Sequence, residues 1–212
     1  MRVDRCLTLL AGMLLTIAVA RDITNQWIAE TELPVLLTET SVEVLDRNDA
    51  LLRLYTVDDG RWRLATSLDA VDPDYITMLI AYEDKRFYRH NGVDARAMVR
   101  AVGQALWHGE VVSGGSTLTM QVARLLEESG TGRLRGKLGQ IRVALALERQ
   151  LSKDDILALY LSRAPFGGNL EGVRAATLAW FGKDPTRLPP AQSALLVALP
   201  DAAEARRAAR ER

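Results

Sequence analysis

The sequence has a single cysteine, Cys6, at the edge of an apolar run, which excludes an internal disulfide framework and a cysteine-based zinc site. Its two histidines, His90 and His108, lie in different segments, and that scarcity argues against a histidine-rich metal centre. Net charge is lacking too. The 27 basic and 27 acidic side chains cancel, so no overall field draws nucleic acid, and any polyanion site has to come from local clustering. Carboxylates are left to carry most acid or base chemistry. There is no internal repeat and no low-complexity linker. The 212 residues have room for one substantial domain plus a short appendage.

What is present begins with Arg2 and Arg5, then LTLLAGMLLTIAVA from Leu7 to Ala20, closed by Arg21 and Asp22, the layout of an exported N-terminus. At 14 residues the run is short for a spanning helix, which needs roughly 20, but Ile23, Trp27 and Ile28 extend it as interfacial anchors. Residues 1–28 are therefore expected to form a retained membrane helix. The positive-inside rule keeps Arg2 and Arg5 in the cytosol and puts the rest of the chain outside. Cleavage after Ala18-Val19-Ala20 is one alternative, and a buried soluble helix is another.

Period-two patterning in VEVL, LLRLYTV and RWRLAT, broken at Asp46-Arg47-Asn48-Asp49 and Asp58-Asp59-Gly60, predicts a small antiparallel meander within residues 34–70. Beyond Asp72 the period is helical, and no strand pattern returns. Asp72 and Pro73 start one helix, Asp94 caps another through Trp107, and Ser116 caps a third through Glu128. A basic helix covers about Arg135 to Gln150. Ser152 with Asp154 and Asp155 opens the next, and Gly182 and Pro185 close one that starts near Glu171. The last runs from Pro190 to Leu199, with Pro200 ending it and an Ala/Arg/Glu tail beyond that buries nothing obvious.

Glu83 and Asp84 end an apolar helix directly before KRFYRHNG. Phe87 and Tyr88 would desolvate a carboxylate there and favour its proton, while Lys85, Arg86 and Arg89 oppose that, a competition that suits a general base. The bland alternative is a solvated ion-pair cluster at a helix end. Ser113-Gly114-Gly115-Ser116-Thr117 ahead of a helix can converge N–H groups and hydroxyls on a phosphate, or serve as a plain flexible cap. It is not a nucleotide-binding Walker loop, since no lysine follows the glycines at the required spacing. Between Arg124 and Arg149 six cations (Arg124, Arg133, Arg135, Lys137, Arg142, Arg149) face three acids (Glu127, Glu128, Glu148). Part of that set can share a helical face and meet an anion, against the alternative of a solvated face.

In order, EDKRFYRHNG at 83–92, GGSTLTMQ at 114–121 and SKDDILALYLSRAPFGG at 152–168 resemble glycosyltransferase family 51, the peptidoglycan transglycosylase domain of penicillin-binding proteins. VEVLDRN, DGRWRL, RAPFGGN and GVRAA narrow the likeness to one subtype. The resemblance implies a mostly α, lysozyme-like helical domain over residues 71–212 with a smaller membrane-proximal part. The substrates it implies are lipid II and a growing lipid-linked glycan, joined into β-1,4 strands with release of undecaprenyl pyrophosphate. The implied setting is single-pass in the bacterial cytoplasmic membrane with the catalytic part periplasmic, among other cell-wall synthesis proteins.

By the same resemblance Glu83 is the base, and Arg100, Ser116, Gln121, Arg124 and Lys137 line the donor side, with Asp84, Thr117 and Gln140 also touching substrate. Magnesium near the pyrophosphate is implied. His90 and Phe87 match the first motif as parts that fix the loop presenting Glu83 and Asp84. One departure is Gln140, which stands where the family commonly has a second glutamate and cannot ionise. No Ser-x-x-Lys tetrad occurs, and the family's last motif would fall after Pro200, so the resemblance implies a C-terminally incomplete domain without an acylating transpeptidase. Two other functions fit parts of the pattern: a lysozyme-like glycan hydrolase, and a catalytically weak membrane-tethered scaffold.

Overall fold

A computed structural model describes residues 2–37, 39–108, 115–127 and 134–210. The chain opens with α1 (Arg2–Ala29), followed by β1 (Val42–Leu45), β2 (Leu51–Tyr55) and β3 (Trp62–Arg63). Then come α2 (Pro73–Glu83), α3 (Ala95–His108), α4 (Leu118–Glu127), α5 (Leu134–Gln150), α6 (Lys153–Arg163), β4 (Leu170–Glu171), α7 (Val173–Phe181) and α8 (Pro190–Arg210). The mostly helical expectation holds.

The core forms around α4. Leu118, Thr119, Met120, Val122, Ala123 and Leu126 are all buried, so this helix is covered on nearly every side, as a helix sandwiched between neighbours must be. Val143, Ala144 and Leu147 of α5 and Ile156, Leu157, Tyr160 and Leu161 of α6 join it, with Tyr75 and Leu79 of α2 and Leu196 and Val197 of α8 in the same cluster. α2 starts as its residues dictate. Asp72 Oδ1 accepts the Asp74 N–H at 2.8 Å with Pro73 in the first turn, and Asp72 Oδ2 accepts the Leu188 N–H, tying α2 to the segment before α8. The capping box of α6 is closed by Ser152 and Asp155. Gly182 ends α7 in the left-handed region at φ 66°.

Four expectations are corrected. β1 and β2 pair antiparallel, with Val42 opposite Tyr55 and a register break at Val44/Leu45, but β3 leaves the expected meander and lies parallel to β4. A strand therefore does return after Asp72. The cause is a buried charge pair: Arg63 donates through Nε to Glu171 Oε2 at 3.0 Å and through Nη2 at 2.5 Å, both residues being nearly fully buried. Both Arg63 bonds converge on Oε2 while Arg61 Nη1 donates to Oε1, and the two arginines together fix Trp62–Arg63 against Leu170–Glu171. The cap of α4 is Thr117 rather than Ser116, since Thr117 Oγ1 accepts the Met120 N–H at 3.1 Å. Finally, α8 runs through Pro200 instead of stopping there, and beyond it Ala203 is buried. A proline inside a helix loses one backbone bond, and helix-favouring alanine and arginine on its far side keep the helix going at that cost.

α1 stands apart from this packing. Every side chain from Leu10 to Thr24 is exposed, and only near Ile28 does the helix meet the body. Among the described residues no helix is long and apolar enough to cross a membrane.

Candidate active site

Glu83 is the last residue of α2, and there Gln121 of α4 reaches it, Nε2 donating to Glu83 Oε2 at 2.8 Å. Asp84, the next residue, turns the other way. It is 7% exposed, His90 Nε2 lies 3.0 and 2.9 Å from its two oxygens, and Oδ2 also accepts the Leu118 N–H at 3.1 Å. One carboxylate thus satisfies an orphan donor at the start of α4 and holds the loop after α2 against it. The adjacent acids divide into one partly buried group beside Gln121 and one that holds the loop to α4.

The loop between them and α3 is fixed from below. Phe87 is fully buried, with the Lys153 ammonium 4.4 Å from its ring centroid and Tyr88 edge-on at 5.0 Å. Lys153 in turn donates to Glu148 Oε1 at 2.5 Å, which Thr119 Oγ1 also reaches at 2.6 Å. Gly92 has φ +84°, and a Cβ there would lie 2.8 Å from the Ala144 carbonyl oxygen, so only glycine lets the loop rest on α5. Its own carbonyl accepts the Thr117 hydroxyl at 2.5 Å. Phe87 and His90 therefore hold the loop, as the sequence pattern suggested.

On the other side of α4's start, Lys137 of α5 donates through Nζ to Ser116 Oγ. Burial first, and then the Arg124 charge, hold the Lys137 ammonium below its ordinary pKa. Lys137 near the start of α5 and Ser116 just ahead of α4 are in contact, and Arg124 in the last turn of α4 adds a second cation whose charge reaches Lys137, so that two cations and a hydroxyl can meet a multiply charged anion. Gly115 allows close approach to α3, where a Cβ would lie 3.4 Å from Met98 Cα. Arg100 is exposed on that same helix. Gln140 is buried on α5.

The cationic helix is not one anion-binding face. Arg142 Nε donates to the Trp27 carbonyl at 3.0 Å and to Thr31 Oγ1 at 2.8 Å, its guanidinium 5.2 Å from the Trp27 ring centroid. Arg149 Nη2 donates to Asn25 Oδ1 at 2.6 Å. These two hold the base of α1. Five residues separate Lys137 from Arg142, about 140° around a helix at roughly 3.6 residues per turn, so the two point to different neighbours. Ser113, Gly114, Glu128 and Arg133 lie outside the described residues, as does the Arg135 side chain.

A family model described as Transglycosylase matches residues 49–212. The chain belongs to the transglycosylase family. It is 49% identical over 144 residues to penicillin-binding protein 1C of Escherichia coli K12, covering 68% of this chain and 19% of that one. To penicillin-binding protein 1F of Bacillus subtilis it is 34% identical over 168 residues, 79% of this chain and 23% of the relative. To penicillin-binding protein 1A of Pseudomonas aeruginosa it is 34% identical over 208 residues, 93% of this chain and 24% of the relative. This transglycosylase chain thus spans between about a fifth and a quarter of the length of those relatives. Of the residues expected at the site, Glu83 and Gln121 meet directly, Ser116, Lys137 and Arg124 form a second group, and Asp84 and Thr117 are engaged in holding α4. Nothing in the residue pattern singles out Tyr75, which reads as an ordinary apolar position of α2 although its hydroxyl is buried without a hydrogen-bond partner among the described residues.

Proposed function

We propose that the chain is a peptidoglycan glycosyltransferase that polymerises lipid II into β-1,4 glycan strands. The observation that carries this is the division of the site into a carboxylate oriented by an amide, Glu83 with Gln121, and a cationic cluster of Lys137 and Arg124 with the Ser116 hydroxyl. Glu83 removes the proton from the acceptor's 4-hydroxyl as that oxygen attacks the donor's anomeric carbon. The bond from that carbon to the pyrophosphate oxygen breaks with inversion, and undecaprenyl pyrophosphate leaves carrying the electron pair. Lys137 and Arg124 offset the charge that develops on the leaving group, and the Ser116 hydroxyl adds a donor. Gln121 points the carboxylate and is exchanged for the acceptor hydroxyl. Gln140 contributes an amide rather than a second base.

A glycan hydrolase would need a second carboxylate across the cleft, and the one beside Glu83 is held by His90 and Leu118. The magnesium implied by the resemblance finds no group of three acidic, histidine or cysteine ligands among the described residues, and Asp84 is already engaged. The donor set does not fit a protein-held ion, and no step is routed through one.

The reading of α1 as a membrane anchor is supported by its exposed apolar side chains, Leu10, Met13, Leu14, Leu15, Ile17, Val19 and Ile23, which no part of the body covers. A 28-residue helix is about 42 Å long at ~1.5 Å per residue, enough to enter the bilayer while its base stays clamped by Arg142 and Arg149. With Arg2 and Arg5 cytosolic, the body faces the periplasm, where lipid II is presented at the membrane surface and cell-wall synthesis proteins can join it. Labelled lipid II incubated with the purified full chain tests the proposal. A polymerase makes strands, a hydrolase cuts preformed ones, and a scaffold does neither.

A further inference from the structure

Three successive residues at the start of α4 are each bonded to a different part of the structure. Thr117 Oγ1 donates to the Gly92 carbonyl at 2.5 Å, the Leu118 N–H to Asp84 Oδ2 at 3.1 Å, and Thr119 Oγ1 to Glu148 Oε1 at 2.6 Å. The first two reach the loop after α2, and the third reaches across to α5. Thr117 and Thr119 lie about 200° apart around the helix at roughly 3.6 residues per turn, so ties on both sides stop α4 turning about its axis. Gln121 is two residues further along, and its bond to Glu83 depends on that rotation.

The third tie is made by a buried charge. The Glu148 side chain is 7% exposed, and the oxygen that takes the Thr119 hydroxyl also accepts the Lys153 ammonium at 2.5 Å. Desolvation offsets the attraction within a buried ion pair, so well-packed apolar side chains of similar volume would hold the fold as well. What they would lack is direction. Lys153 opens α6 with its ammonium 4.4 Å from the Phe87 ring centroid, and Asp154 beside it accepts the Tyr88 hydroxyl at 3.3 Å, so the first turn of α6 grips two adjacent residues of the loop. At Gly92 the loop comes against Glu148 itself, where an added Cβ would lie 3.1 Å from Glu148 Cγ. One carboxylate oxygen thus joins the helix that carries Gln121 to the helix that grips the loop leading from Glu83.

We infer that Glu148 is a positioning residue for the reaction: by holding the Thr119 hydroxyl and the Lys153 ammonium on one oxygen, it sets α4 against the loop so that the Gln121 amide meets Glu83. The inference deepens the proposed reaction and rests on Glu83 being its base. Glu148 acts through Thr119, Lys153 and Gln121 rather than on the substrate. A base works only within hydrogen-bond reach of the proton it takes, and a displacement of about 1 Å can lower a rate roughly a hundredfold. A small turn of α4 that leaves the core packed is therefore silent in stability and visible in rate.

The test replaces all three polar partners in the full chain with apolar side chains of similar size, Thr119→Val, Glu148→Met and Lys153→Met together. The melting temperature is expected to stay at or above that of the wild type. With labelled lipid II, kcat should fall about 10- to 100-fold while KM stays within roughly twofold. The side-chain amide resonance of Gln121, seen by NMR with isotope-labelled glutamine and identified by Gln121→Asn, should leave its wild-type position. A folded variant in which either kcat or that resonance is unchanged overturns the inference. Should the triple variant not fold, Thr119→Val and Thr119→Ser decide: a slow valine variant with the rate restored by serine upholds the inference, and equal rates overturn it. A wild-type chain that makes no strands sinks the proposed reaction instead, and the Gln121 resonance alone then decides, upholding the inference if it moves and overturning it if it does not.

Discussion

His90 Nε2 lies 2.9 Å from Asp84 Oδ2, and the same oxygen accepts the first backbone N–H of α4, from Leu118, at 3.1 Å. Through that one carboxylate the loop carrying Glu83 and the helix carrying Gln121 are locked in register. Asp84→Ala removes a cap and strands a buried imidazole together, and is expected to lower stability by about 3 kcal/mol. Asp84→Asn keeps an acceptor for Leu118 and should lose roughly 1 kcal/mol. Urea unfolding of the two variants checks the order. Equal losses would mean that the oxygen on Leu118 contributes nothing.

Lys137 is held below its ordinary pKa by burial and by Arg124. A cation so placed binds its proton less tightly folded than unfolded, so it opposes folding wherever it is charged. That opposition fades as pH rises from the lowered folded value toward the unfolded one of about 10.5. Lys137→Met is thus expected to leave the melting temperature at neutral pH unchanged or slightly raised, with the difference from wild type shrinking in alkali. Use of the lipid-linked donor should weaken at least tenfold, because charge-assisted contacts to pyrophosphate are lost. Thermal melts across pH and initial rates against lipid II concentration measure both; a large loss of stability with unchanged donor kinetics would put Lys137 in the scaffold.

Arg142 and Arg149 tie α5 to the base of α1 through Trp27, Thr31 and Asn25. Replacing both with alanine is expected to speed hydrogen exchange over residues 23–31 at least tenfold while leaving that of α4 unchanged. The protein should stay in the membrane fraction after a carbonate wash and keep an intact N-terminus by mass spectrometry, since the anchor is the apolar run and not the joint. A mature chain starting at Arg21 and released by carbonate would refute the anchor.

How legible each part was in the residues depends on how local its cause is. The Ser152–Asp155 box and the Asp72–Pro73 start lie within four residues of their consequences, and both were readable. Ser116 and Thr117 are adjacent hydroxyls, and the choice of Thr117 as cap is made by Gly92 and Asp84, which are distant in the chain. The parallel pairing of Trp62 with Leu170 depends on Arg63 and Glu171 finding each other across more than a hundred residues, which no period-two pattern encodes. At the site, Glu83 stood out because charge at the end of an apolar helix is conspicuous. The division of the cations between Ser116 and α1 did not, because it depends on which neighbours surround α5.

In the proposed reaction Glu83 is the base that takes the acceptor's proton. Glu83→Gln keeps the shape of the side chain but cannot accept the proton, and loss of a general base typically costs about 10²- to 10⁴-fold. Single-concentration polymerisation of labelled lipid II by wild type and variant, at matched melting temperature, measures it directly. The expected result is a rate lowered by at least about a hundredfold in a chain that is equally folded. A variant that retains more than about a third of the wild-type rate, against the loss expected on removing a base, would contradict the assignment.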